Sequence, residues 1–280
     1  MMTTKATTDL AFSDYTARQY RELDADRLLE RAMQVRPSGN YRYEGGRWKP
    51  QPYPGFAVLS MVDEYPGNET LPEILAALQG GLVERCPWEG ALYLLPPDSF
   101  HQTVANMLSE QRFVQRVVEP GLEGEYPGMV TRAFGQIGMK RRGAVEMVTR
   151  GAVGMVTRGA VEMELIGISI FGTALGVLGV FREEEHYQRI LRFRAGLYAD
   201  PGLAALEVRM TRPFIGHITL AYIEQELSDE RRGQLAEAVG VLNRQLKEVK
   251  PVFSFSGTGL RRYEHLSAFE RSDGYPRYEF

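Results

Sequence analysis

The sequence predicts an α+β fold of two similar lobes, each an antiparallel sheet with flanking helices, facing one another across a central cleft. Three observations lead there. Strand-like and helix-like stretches alternate along the chain, and the alternation occurs twice. Each half also holds one strand of the form His-x-Thr-aliphatic-Ala, at 101–105 and at 217–221. The 280 residues, 44% hydrophobic and 25% charged, match an ordinary globular composition with ample core.

Residues 1–50 read as a helical and irregular extension, and residues 51–280 as a single bilobal domain. In the extension, Leu23, Leu28, Leu29 and Met33 recur at helical spacing and predict a helix over 20–35. Pro, Gly, Tyr and Trp crowd 36–55, which should be irregular. Phe56 to Val62 is apolar and β-branched enough for a strand. A turn at Pro66-Gly67-Asn68 leads to a helix over 71–82, with Pro72 in its first turn. Strand character returns at 91–95 and 100–105. In the second half, 165–181 carries no charge but is broken by glycines, so it reads as a buried hairpin turning at Gly172-Thr173 rather than a membrane helix. A helix over 182–198, a strand over 213–223 and a helix over 228–249 follow, the last capped by Ser228 with Glu230 near the capping-box position. Pro251 opens a final strand pair. Ser256-Gly257-Thr258-Gly259 lacks the length and the lysine of a phosphate loop and reads as a strand-end turn.

The lobe boundary falls near 142–163, where Arg-Gly-Ala-Val-Glu/Gly-Met recurs every eight residues. In an extended chain Arg142, Arg150 and Arg158 would share a face and form a basic ladder. Three short copies are too few for a solenoid, so we expect a local duplication carried as an extended hairpin or mobile insert.

Several function classes are disfavoured. A net charge of −3 supplies no field for duplex nucleic acid, leaving a nucleotide or a single RNA end as the natural nucleic-acid partner. The lone Cys86 excludes an internal disulfide and a cysteine-rich metal site, and reads as a packing residue. Met1 to Ala6 lacks the apolar stretch of a signal peptide, so a cytoplasmic protein without membrane contact is expected. Oligomeric state is not legible.

In a strand, residues i and i+2 share a face, so His101 projects with Thr103, and His217 with Thr219. By the same alternation Ala105 and Ala221 share that face and leave room beside it, whereas Tyr222 and Gln102 point away. Two imidazoles can supply a base and an acid near neutral pH. Two hydroxyls can donate to phosphoryl oxygens whose charge reorganises during reaction. Arg212, and next Arg209, precede the second motif and suit a phosphate. His186 and His265 read as surface residues.

With these strands placed, the chain resembles the 2H phosphoesterase superfamily, defined by two H-x-[ST]-x motifs, and within it the DUF1868-type branch. The likeness rests on Pro96-Pro97-Asp98-Ser99-Phe100-His101-Gln102-Thr103-Val104 and on Phe214-Ile215-Gly216-His217-Ile218-Thr219-Leu220-Ala221-Tyr222, and it covers roughly 50–280. Gln102 stands where that pattern has an apolar residue, and the eight-residue repeat is foreign to it. The resemblance implies a site of His101, Thr103, His217 and Thr219 that opens a 2′,3′-cyclic phosphate on a nucleotide or RNA end without metal or other cofactor. The alternative is a non-catalytic protein that binds such an end.

Overall fold

The computed structural model describes residues 8–149 and 159–280. Two helices lead, α1 (Phe12–Arg21) and α2 (Ala25–Met33), then a hairpin of β1 (Tyr41–Glu44) and β2 (Arg47–Pro50). The first half continues with β3 (Gly55–Met61), α3 (Leu71–Arg85), β4 (Leu92–Leu94), β5 (His101–Ser109), the short α4 (Glu110–Phe113) and α5 (Tyr126–Thr149). The chain continues with β6 (Val161–Phe171), β7 (Ala174–Phe181), α6 (Glu184–Tyr198), α7 (Pro201–Ala205), β8 (His217–Ile223) and α8 (Asp229–Val249). It closes with β9 (Val252–Phe255), β10 (Gly257–Tyr263) and β11 (Arg277–Glu279).

The fold is mixed α+β with antiparallel pairing, but the two expected sheets are one. Nine strands run β11-β10-β3-β5-β8-β7-β6-β9, with β4 added to β8. The halves join at β5 and β8, which share a single ladder pair, Gln102↔Ile218. Edge-to-edge backbone pairing at that seam is why the sheet is continuous. With β4, β9, β11 and the short α4 and α7 set aside, the chain repeats a strand–helix–strand–helix–strand order, β3-α3-β5-α5-β6 and β7-α6-β8-α8-β10, and the third strand of each series pairs in the other, β6 on β7 and β10 on β3.

Local departures from the expected elements have identifiable causes. The helix expected over 20–35 is two, α1 and α2, which turn different apolar stripes inward: Tyr15 toward β7, and Leu28 with Ala32 toward α8 and β6. The Glu22 carboxylate at the break accepts from Arg31 Nε at 2.8 Å and from Arg27, tying the two together. Residues 41–50, expected to be irregular, form the β1–β2 hairpin because aromatic rings give it a packing surface. The Tyr43 and Trp48 rings lie 5.0 Å apart and Tyr41 stacks on Tyr93 at 3.5 Å. Gly257–Gly259, read as a turn, lies in β10 between β11 and β3. The uncharged 165–181 stretch is a hairpin as expected, turning at Gly172 with φ +44°, and Ser228 caps α8 by accepting from Arg231 N. No helix among the described residues is long and apolar enough to cross a membrane.

The repeat shows how far context outweighs local sequence. Val145-Glu146-Met147 lies in α5, whereas the identical Val161-Glu162-Met163 is strand β6 between β7 and β9, with Val161 and Met163 fully buried. Arg142 is therefore helical and outside any extended ladder; Arg150 and Arg158 lie outside the described residues.

Candidate functional site

An antiparallel ladder has a local two-fold axis, and the one through Gln102↔Ile218 exchanges His101 with His217 and Thr103 with Thr219. The same register sets His101 opposite Thr219 and Thr103 opposite His217, on the face away from buried Gln102 and Ile218. The four residues are half-buried while their alternate neighbours are covered, so the two motifs share a face at the seam. Flanking strands obey the symmetry: Met61 and Leu59 on β3 pair with His101 and Thr103, and Leu178 and Gly176 on β7 pair with His217 and Thr219.

The imidazoles are set alike. His101 Nδ1 lies 2.7 Å from Ser99 O and His217 Nδ1 lies 3.1 Å from Ile215 O, each a carbonyl two residues upstream. A carbonyl only accepts, so Nδ1 carries the proton and Nε2 keeps its lone pair. Ring neighbours match too: Phe269 stands edge-on to His101 at 4.5 Å, and Phe171 lies 5.1 Å from His217. Burial pushes both imidazoles down to about 4, so both are neutral at neutral pH. The charge of Arg212 further disfavours protonation of His217.

Strict alternation fails one residue past each threonine. Val104 has no partner between Leu59↔Thr103 and Val58↔Ala105, and Leu220 has none between Gly176↔Thr219 and Leu175↔Ala221. These paired β-bulges reverse the parity beyond them. Ala105 and Ala221, expected beside the histidines, are fully buried on the other face. Asn106 and Tyr222 take the face of the quartet instead, opposite Ala57 and Ala174, which corrects the placement of Tyr222. The carbonyl of each bulge residue is met by a buried side chain: Arg194 Nη1 of α6 donates to Val104 O, and Gln79 Nε2 of α3 to Leu220 O, both at 2.8 Å.

Asp9 and helix α1 hold the segment that leads into His217. Asp9 Oδ1 accepts from Phe214 N at 2.5 Å, Arg18 Nη2 donates to Phe214 O, and Gln19 Nε2 donates to Gly216 O at 2.8 Å. Asp9 also pairs with Arg194 at 3.0 Å, and Arg194 Nη2 reaches Arg212 O. Gly216 permits the close approach: a Cβ there would lie 2.7 Å from Met163 Sδ and 2.9 Å from Gly179 O.

Arg212 reaches the site, its Nη2 3.4 Å from Asn106 Oδ1 across the seam. Arg209 is exposed, and among the described residues no hydrogen bond or ion pair ties it to the motifs. His186 and His265 are half-buried rather than free on the surface: His186 Nδ1 accepts from Glu162 N, and His265 Nδ1 lies 3.0 Å from Ser267 Oγ. Cys86 is buried, as expected of a packing residue. Among the described residues no three His, Cys, Asp or Glu side chains cluster as metal ligands. Sequence reasoning missed Asn106, Gln79 and Arg194, because only the bulges explain their placement.

No protein-family model and no curated protein matches this chain. Among solved structures it is similar to the protein of unknown function ATU0111 from Agrobacterium tumefaciens str. C58, at 15% identity and TM-score 0.56, over 84% of this chain and 90% of that one. TT0787 of Thermus thermophilus aligns at 15% identity and TM-score 0.37 over 74% of this chain and 87% of that one, too loosely to support an argument. The first likeness shows a shared fold and carries nothing about activity.

Proposed function

We propose that the chain is a metal-independent phosphodiesterase that opens a 2′,3′-cyclic phosphate on a nucleotide or RNA end. The observation that carries this reading is the two-fold arrangement of His101, Thr103, His217 and Thr219, with both Nδ1 atoms tied to carbonyls and both Nε2 lone pairs left for proton transfer. His217 is the base: nearby Arg212 disfavours its protonation, which suits a group that must start neutral. Its Nε2 takes a proton from water as the water oxygen bonds to phosphorus. His101, protonated at Nε2 in the complex, gives that proton to the ribose oxygen as its bond to phosphorus breaks. Thr103 and Thr219 donate to the non-bridging oxygens, and Arg212 balances their charge. Free His101 is neutral, so the phosphate itself must raise its proton affinity on binding, through the attraction of opposite charges.

The test is hydrolysis of 2′,3′-cyclic nucleotides and of a short RNA ending in a 2′,3′-cyclic phosphate, with EDTA present. Turnover that resists EDTA supports the reading, and the product isomer identifies the bond that breaks. A folded protein that binds the RNA end without turnover favours the binding-protein alternative.

A further inference from the structure

The two-fold relation between the motifs is broken at one internal position, where Gln102 stands against Ile218. Both are fully buried, and a buried primary amide is costly unless its donors and acceptor are paired. Gln102 is paired, and its partners lie along both motifs. Oε1 accepts from His217 N at 2.7 Å; Nε2 donates to Thr103 O at 2.7 Å and to Ile215 O at 3.2 Å. Ile215 O is also the carbonyl that meets His217 Nδ1. One amide therefore grips the backbone of His217 and the acceptor that sets its tautomer, across a seam only one ladder pair wide.

We propose that Gln102 is a positioning residue that couples the two motifs, fixing the backbone of His217 and, through Ile215 O, the direction and tautomer of its ring; this rests on the two-histidine reading above. The symmetry explains the asymmetry. His101 needs no such grip, because its acceptor Ser99 O belongs to a turn closed by Ser99 N and Ser99 Oγ, both donating to Pro96 O. Ile215 lies in an irregular approach to β8, and a side chain from β5 does for it what the turn does for Ser99. An aliphatic residue at 102 fills the volume and loses all three bonds.

Ring-nitrogen NMR tests this without reference to activity. In the wild type at pH 7.5, both rings are expected as the Nδ1-protonated tautomer. In Gln102→Met, the His217 nitrogens are expected to shift toward a tautomer mixture while those of His101 stay in place. His217 unchanged in a folded variant, or both rings shifting equally, overturns the proposal; so does a wild-type His217 protonated at Nε2, which needs no variant to fold. With a cyclic-phosphate substrate, Gln102→Met is expected to lower kcat about ten- to a hundredfold with KM nearly unchanged, the signature of a misaligned group. If the wild type turns over nothing, the two-histidine reading fails in its own assay while the ring spectra still decide the role of Gln102.

Discussion

His101 and His217 are each held neutral by burial, with Nδ1 occupied by a carbonyl, and this has two measurable consequences. A histidine that titrates near 4 when folded and near its ordinary 6.5 when unfolded binds protons more readily in the unfolded chain. Its contribution to stability is present above about 6.5 and is lost as pH falls through about 4. The urea midpoint should fall across that window, and a His101→Asn/His217→Asn double variant should show a flatter profile. The second consequence concerns binding: a phosphate ester that charges one imidazole must draw a proton from solution. Calorimetry at pH 7 in buffers of different ionisation enthalpy should report net proton uptake, which the double variant should lack. The histidines and threonines were legible in the sequence because a period of two reports a strand face. Gln102 was not: period two says which way it points, but not that its amide reaches the other motif.

At the scale of elements, the paired bulges shape the site. A bulge adds one residue without changing composition, so the alternation that located the motifs misplaced Ala105, Ala221 and Tyr222 beyond them. Helix side chains also reach the bulge carbonyls, Arg194 at Val104 O and Gln79 at Leu220 O, which Leu95 N meets as well at 2.9 Å. Gln79→Leu removes the amide donor to Leu220 O and to Leu95 O, both 2.8 Å away, and should cost about 1–3 kcal/mol of unfolding free energy. Arg194→Met leaves Asp9 buried without its cation and should cost about 3–5 kcal/mol. Chemical denaturation measures both. The long strands and helices of the second half were legible because their apolar runs and caps agree with their surroundings. The β1–β2 hairpin was hidden, because its stability comes from Tyr93, a residue remote in sequence.

For the whole molecule, the duplicated order of strands and helices places the two motifs at one seam, with the third strand of each series, β6 and β10, paired in the other. The alternation in the sequence announced two halves but not their fusion into one sheet, since edge pairing of β5 with β8 depends on a register that no local pattern encodes. The eight-residue repeat runs from the end of α5 into the start of β6. Removing residues 142–157, two whole units, keeps the copy that enters β6 and should leave cyclic-phosphate hydrolysis unchanged. If His101 and His217 act as one pair, comparing wild type, His101→Ala, His217→Ala and the double variant on the same cyclic-phosphate RNA shows it. Each single variant is expected to lose about a hundred- to ten-thousandfold in rate, and the double little more than the worse single. Full activity in either single variant, or losses that simply multiply in the double, would contradict it.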